Sequence, residues 1–172
     1  MSLGNKSARI LIVDDDEDDF IITCDYIKSI PGNSFQLDWC KNYSQGLQHL
    51  RNGGYDLFFV DYRLGAKSGV DFLKEAYNLN CQEPIVLLTG KGNYEVDIQA
   101  MQLGAVDYLV KTELSVEKME RCIRYALDRA ATIKALKYNE RKYRSIFEQS
   151  KDVVFVADNN LQFVDVNEAV RN

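Results

Sequence analysis

Four apolar runs, each ending in a polar residue, set the pattern of this chain. Ile10-Leu11-Ile12-Val13 leads into Asp14-Asp15, and Leu57-Phe58-Phe59-Val60 leads into Asp61. Ile85-Val86-Leu87-Leu88 meets Thr89, and Tyr108-Leu109-Val110 meets Lys111. Each run has the length of a strand. Residues 57–60 are apolar at every position, which predicts a strand covered on both faces, as in a parallel sheet. Residues 35–39 alternate and predict a shorter strand.

Helical spacing fills the intervals. Phe20, Ile21, Cys24, Ile27 and Ile30 mark the apolar side of a helix over 18–29, with Asp16 to Asp19 at its positive end and Pro31-Gly32-Asn33 at its stop. A second helix is expected over 44–52, closed by Gly53-Gly54. A third spans 69–78, with Val70, Phe72, Leu73, Ala76 and Tyr77 as packing residues. A fourth spans 94–103 and stops at Gly104. Ser115 caps a fifth, with Glu117 in its first turn, and no Gly or Pro interrupts 116–149. Strand and helix thus alternate five times. In a parallel sheet the strand ends share one edge, and ligands bind outside the carboxyl ends. Three carboxylates, a hydroxyl and an ammonium would converge there, a set suited to a divalent cation and a phosphoryl group.

The last helix is longer than one domain face requires. Met119, Ile123, Ala126, Ala130 and Ile133 follow 4-3-4-3 spacing, a seam of about two heptads. Intramolecular packing is expected up to about Tyr125 and a parallel dimer seam beyond it. After Ile133 the phase shifts to Leu136, Tyr143 and Phe147. Residues 152–157 and 161–166 then read as two strands around Asp158-Asn159-Asn160. A lone hairpin is marginal in water, so this tail is expected to open a second domain.

The net charge of -5 over 172 residues argues against a nucleic-acid-binding surface. The basic residues between Arg121 and Arg144 are interleaved with acidic ones, as on a solvated helix face. Cys24, Cys40, Cys81 and Cys122 form no CxxC pair, and they read as reduced thiols of a cytoplasmic protein, three of them core residues. No apolar run approaches the roughly 18 residues of a membrane span. His49, the only histidine, stands mid-helix without clustered ligands and is expected to be a surface or half-buried residue. A phosphoryl group would therefore come from another protein or a small phosphodonor. Gly90-Lys91-Gly92 lacks the spacing of a P-loop and reads as a flexible turn after Thr89.

Over about residues 8–130 these features resemble the receiver domain of two-component response regulators. The resemblance rests on Asp14-Asp15, on Asp61 with Gly69 eight residues later, on Thr89, and on Gly104-Ala105-Val106-Asp107-Tyr108-Leu109-Val110-Lys111. Leu64-Gly65 stand where the family often has Met-Pro, and Thr112 follows Lys111 where the family usually has Pro. Neither departure removes a chemical group from the site. From about Tyr143-Arg144-Ser145-Ile146-Phe147 to Asn167-Glu168-Ala169 the tail resembles the start of a PAS domain. The implied organisation is a receiver over 8–130, a helical linker with a coiled-coil seam over 131–147, and a PAS fragment over 148–172. The implied fold is α/β, a doubly wound, flavodoxin-like, five-stranded parallel sheet of order 2-1-3-4-5 with right-handed crossovers and an extended C-terminal helix.

The resemblance implies phosphorylation of Asp61, with Thr89 and Lys111 as the other catalytic residues. A carboxylate can attack phosphorus to give an acyl phosphate. Crowded carboxylates repel one another, and magnesium relieves this with carboxylate, water and phosphate ligands. Asp15 and Asp61 would bind it directly, Asp14 through water, and Arg63 through its backbone carbonyl. Thr89 and Tyr108 would be the switch residues. Arg63 and Lys91, each two residues past a site residue, would shield the acyl phosphate from water. The implied partners are a cognate histidine kinase or phosphotransfer protein, the downstream PAS or output domain, and a second copy through the last helix. No nucleic acid or membrane is expected. Two alternatives compete. Asp14 and Asp16 form the DxD of an aspartate-nucleophile phosphatase, but Asp18 stands near the place of its Thr or Val and a cap domain is lacking. The other is an interaction module with a vestigial pocket, against which the full set of five polar groups argues.

Overall fold

The computed structural model describes residues 7–32, 34–90 and 100–171. The chain divides into two compact units, Met1–Ala130 and Ala131–Asn172. The first unit opens with β1 (Ser7–Val13), α1 (Glu17–Lys28), β2 (Ser34–Cys40), α2 (Tyr43–Asn52) and β3 (Leu57–Asp61). A two-stranded ribbon follows, β4 (Arg63–Leu64) and β5 (Lys67–Ser68), then α3 (Gly69–Asn78), β6 (Ile85–Thr89) and β7 (Asp107–Val110). Helix α4 (Val116–Gln149) begins in the first unit and continues in the second. Residues 100–102 are helical, and the rest of the helix expected over 94–103, except 103, lies outside the described residues, as does Asn33.

The main sheet has the order β2-β1-β3-β6-β7, with every pair parallel. This is the expected 2-1-3-4-5 order once the ribbon strands are set aside. Strand alternation sends side chains to two cores. On one face Leu11, Val13, Phe58, Val60 and Leu87 pack with Leu47 of α2 and Phe72 and Leu73 of α3. On the other, Ile10, Ile12, Phe59, Val86 and Leu88 pack with Cys24 and Ile27 of α1 and with Met119, Ile123 and Ala126 of α4. Both faces of β3 and β6 are covered, which is why these strands are apolar up to their last residues, Asp61 and Thr89.

Local chemistry fixes the helix ends. The Asp16 carboxylate caps α1 by accepting from the amides of Asp18 and Asp19. Ser68 and Asp71 form a reciprocal capping box at α3. Gly69 at the start of α3 sits against the third strand: a Cβ there would lie 2.7 Å from the Asp61 carbonyl oxygen and 2.8 Å from Leu87 Cδ2. Its amide donates to the Tyr62 carbonyl at 2.9 Å. Glycine therefore holds α3 close behind the Asp61 loop.

Some packing differs from the sequence reading. On α1 the buried face is Thr23, Cys24 and Ile27, and Ile21 is exposed, because it lies roughly 120° round the helix from that face. Tyr77, in the last turn of α3, is also exposed. Cys24, Cys40 and Cys122 are buried as expected, and His49 is half-buried, edge-on to Tyr55. The first three seam positions of α4, Met119, Ile123 and Ala126, are spent on the sheet. Intramolecular packing thus runs just beyond Tyr125, which is exposed, while Ile133 and Leu136 are exposed further on.

In the second unit, β8 (Phe155–Ala157) and β9 (Phe163–Val166) form an antiparallel hairpin, both strands shorter than expected. Asn167 organises it. Its side-chain amide donates to the carbonyls of Phe147 and Asp152, and its Oδ1 accepts from the Val154 amide. Asn167 and Phe147 are buried, whereas Phe155, Phe163 and Val164 are exposed.

If α4 is integral to the first core, Ile123→Ala will cost about 2–5 kcal/mol of stability, as large-to-small core changes do. Leu136→Ala will stay within about 0.5 kcal/mol, as exposed changes do. Urea denaturation of the two variants checks this, and equal stabilities would contradict the assignment.

Candidate functional site

The sheet register brings the polar strand ends level. Val13 pairs with Val60, so Asp14 and Asp61 emerge side by side. Asp61 pairs with Leu88, and Thr89 pairs with Val110, so Thr89 and Lys111 follow on the next strands. Outside these ends lies a cleft of about 530 Å³ lined by Asp14, Asp15, Asp16, Asp19, Asp61, Tyr62, Arg63, Thr89, Gly90, Tyr108 and Lys111. Each residue expected at the site on sequence grounds lines this cleft except Lys91, which lies outside the described residues.

Lys111 occupies the centre. Its Nζ lies 2.8 Å from Asp14 Oδ2, 2.6 Å from Asp61 Oδ1 and 2.6 Å from Asp19 Oδ2. The residue reaches this place because β7 ends at Val110 and Lys111–Glu113 turn as a 3₁₀ helix. The other oxygens of the carboxylates are held by backbone. Asp14 Oδ1 accepts from the Asp16 amide at 3.0 Å, and Asp61 Oδ2 accepts from the Arg63 amide at 2.6 Å. The backbone of Asp14 is fixed in turn, its carbonyl accepting from the Trp39 indole at 2.9 Å. Trp39 stacks on Phe20, tying β2 and α1 to the rim.

Burial dominates the electrostatics. It pushes Asp14 up to about 6, against the opposing pull of Lys111 and the Asp16 amide. It also raises Asp61, again opposed by Lys111, with the negative charge of Asp15 adding to the rise. Burial would lower Lys111, but its hydrogen bonds to Asp14, Asp19 and Asp61 outweigh this and hold the ammonium above the ordinary lysine range. Asp61 and Thr89 are buried at the cleft floor, while Asp15 and Arg63 are exposed at its mouth.

The donor set fits a hard divalent cation. Asp14, Asp15 and Asp61 each offer a carboxylate oxygen, and these oxygens lie within 4.8 Å of one another. Oxygen-only ligation is the preference of magnesium and calcium. Sequence spacing overlooked Asp19, which it assigned only to the helix end, and Tyr62 on the rim. A signal for Asp19 was present: it precedes Thr23 by four residues, so it shares the face of α1 that is turned inward.

Residues 10–124 match the response regulator receiver domain model, and the chain belongs to that family. Transcriptional regulatory protein PcoR of Escherichia coli is 32% identical over 130 residues, 73% of this chain and 55% of that protein. Transcriptional regulatory protein ZraR of Klebsiella oxytoca is 28% identical over 126 residues, 73% of this chain and 27% of that protein. The chain thus spans only about a quarter to a half of the length of these relatives. In fold it is similar to a CheY-like receiver domain protein from Methanospirillum hungatei JF-1. That likeness has a TM-score of 0.64 at 23% identity and covers 74% of this chain and 98% of the other. The first unit is therefore the receiver domain of a two-component response regulator. Among the described residues no helix is long and apolar enough to cross a membrane.

Removing the ammonium leaves buried carboxylates without a partner, a change that typically costs about 3 kcal/mol or more. Lys111→Ala is therefore expected to lose about 3 kcal/mol in guanidinium unfolding at neutral pH without divalent cation. An unchanged midpoint would show that the three ion pairs do not hold the cleft together.

Proposed function

We propose that Asp61 accepts a phosphoryl group from a phospho-histidine of a histidine kinase or phosphotransfer protein. The single observation that carries this reading is the placement of Asp61. It is buried at the strand edge, with one oxygen on the Lys111 ammonium and both flanking acidic groups within reach of a shared cation. In the transfer the Asp61 oxygen forms a bond to phosphorus while the phosphorus–nitrogen bond of the donor breaks, and the nitrogen keeps that electron pair. Lys111 and the Thr89 hydroxyl are the groups that meet the charge developing on the phosphoryl oxygens. Asp14, Asp15, Asp61 and the Arg63 carbonyl would hold magnesium. When bound, that ion supplies charge neutralisation between the carboxylates and the phosphoryl oxygens.

Thr89 and Tyr108 then serve as the switch, since both line the cleft, Thr89 from the end of β6 and Tyr108 from the adjacent β7. Arg63, at the cleft mouth, and Lys91 shield the acyl phosphate from water. Output passes along α4. Its exposed seam residue Ile133, with Leu136 exposed just past the phase shift, supports a dimer contact beyond the sheet, and Phe147 takes no part in it because the second unit buries it. Adjacent hairpin residues Phe163 and Val164 expose apolar groups on both faces, and two strands alone cannot cover them. This supports reading 148–172 as part of a PAS-like module that receives the signal.

Incubation with acetyl phosphate and magnesium is expected to add one phosphate to the intact mass of the chain. Asp61→Asn will add none, and neither will wild type without magnesium. A gain that persists in Asp61→Asn would overturn the assignment. Light scattering of the same samples is expected to read a dimer, and a monomer up to high micromolar concentration would contradict the seam.

A further inference from the structure

Asp19 is the acidic residue of the α1 entry that does something its neighbours do not. Glu17 and Asp18 are exposed to solvent, while Asp19 is partly covered and turns its carboxylate into the cleft. Its Oδ2 meets Lys111 Nζ at 2.6 Å, as short as the Lys111–Asp61 pair. A lysine ammonium has three N–H donors. Here Asp14 and Asp19 accept hydrogen bonds from it at 2.8 and 2.6 Å and Asp61 pairs with it at 2.6 Å, so three carboxylates surround the ammonium. Asp14 and Asp61 belong to the group of carboxylates close enough to share a cation, and Asp19 does not.

We infer that Asp19 is a positioning residue that holds Lys111 against the unmodified Asp61 and biases the cleft toward the cation and against the phosphoryl group. The inference rests on the reading of Asp61 as phosphoacceptor and adds a control on its occupancy. Two physical effects carry it. An anionic group on Asp61 needs an N–H of Lys111, and in the unmodified cleft the ammonium is already engaged by three carboxylates, so a pair must be given up. In addition, the lining carries Asp14, Asp15, Asp16, Asp19 and Asp61 against Arg63 and Lys111. The Asp19 charge therefore draws a divalent cation in and repels an incoming anion. Asp19 is 39% exposed at its side chain, so water screens its charge and the effects are moderate.

Asp19→Asn keeps an oxygen that can accept from Lys111 and removes only the charge. The opposite signs of the two effects set it apart from a structural defect, which would weaken both ligands together. Trp39 is the only tryptophan, and its indole donates to the carbonyl of Asp14, so its fluorescence reports on the cleft. The full chain is titrated first with magnesium, then with beryllofluoride, an anionic phosphoryl mimic, at saturating magnesium. Asp19→Asn is expected to weaken magnesium about threefold and tighten beryllofluoride about threefold, the scale of a screened charge pair. Asp18→Asn removes the same charge from the same helix turn without touching Lys111 and is expected to move both affinities less. Unchanged affinities in Asp19→Asn, shifts of the same sign, or equal shifts in Asp18→Asn would each overturn the inference. A wild type that binds magnesium but no beryllofluoride would instead overturn the phosphoacceptor reading on which it rests.

Discussion

The ammonium of Lys111 allows the carboxylates at this sheet edge to coexist. Asp14 and Asp61 are nearly inaccessible to water, and two buried negative charges side by side would each be driven to keep a proton. Burial does push both upward, and the hydrogen bonds to Lys111 limit the rise. The lysine pays its own desolvation through three close ion pairs. The arrangement is therefore held in balance by one positive charge against several negative ones. That imbalance gives the cleft its capacity for a cation, and the same ammonium is the donor a phosphoryl group would need.

The fold exists to maintain that register. Parallel pairing of β1, β3, β6 and β7 sets Asp14, Asp61, Thr89 and Lys111 on neighbouring strand ends. Two apolar layers pin the sheet between helices, and the first part of α4 belongs to one of them. Gly69 lets α3 approach the backbone of Asp61 to a distance that no side chain would allow. A change at the cleft therefore acts on strands and loops already locked to the helices. Helix α4 continues from that layer to Gln149 without a break.

Much of this was legible in the sequence because the chemistry and the periodicity coincide. Strands β3 and β6 read as apolar runs ending in Asp61 and Thr89, and α3 was readable to the residue because Gly69 and its apolar spacing bound it. The helix start at Ser115 and the uninterrupted run to Gln149 followed from capping and the lack of breakers. What escaped was tertiary. An acidic helix entry satisfies the dipole rule with any of its carboxylates, so charge alone did not single out Asp19. The ribbon of β4 and β5 is too short to leave a period, and Gly65 at its turn, with φ 65°, was its only mark. The heptad-like spacing of Met119, Ile123 and Ala126 served equally well for a helix packed on a sheet, and the sheet took those positions.

The central claim is that Asp61, among several adjacent carboxylates, carries the phosphoryl group. Borohydride reduction converts an aspartyl phosphate to homoserine, which peptide mass spectrometry locates to a residue. After treatment with acetyl phosphate and magnesium, homoserine is predicted at position 61 and not at 14, 15 or 19. Homoserine at one of those positions, with Asp61 unmodified, would contradict the account.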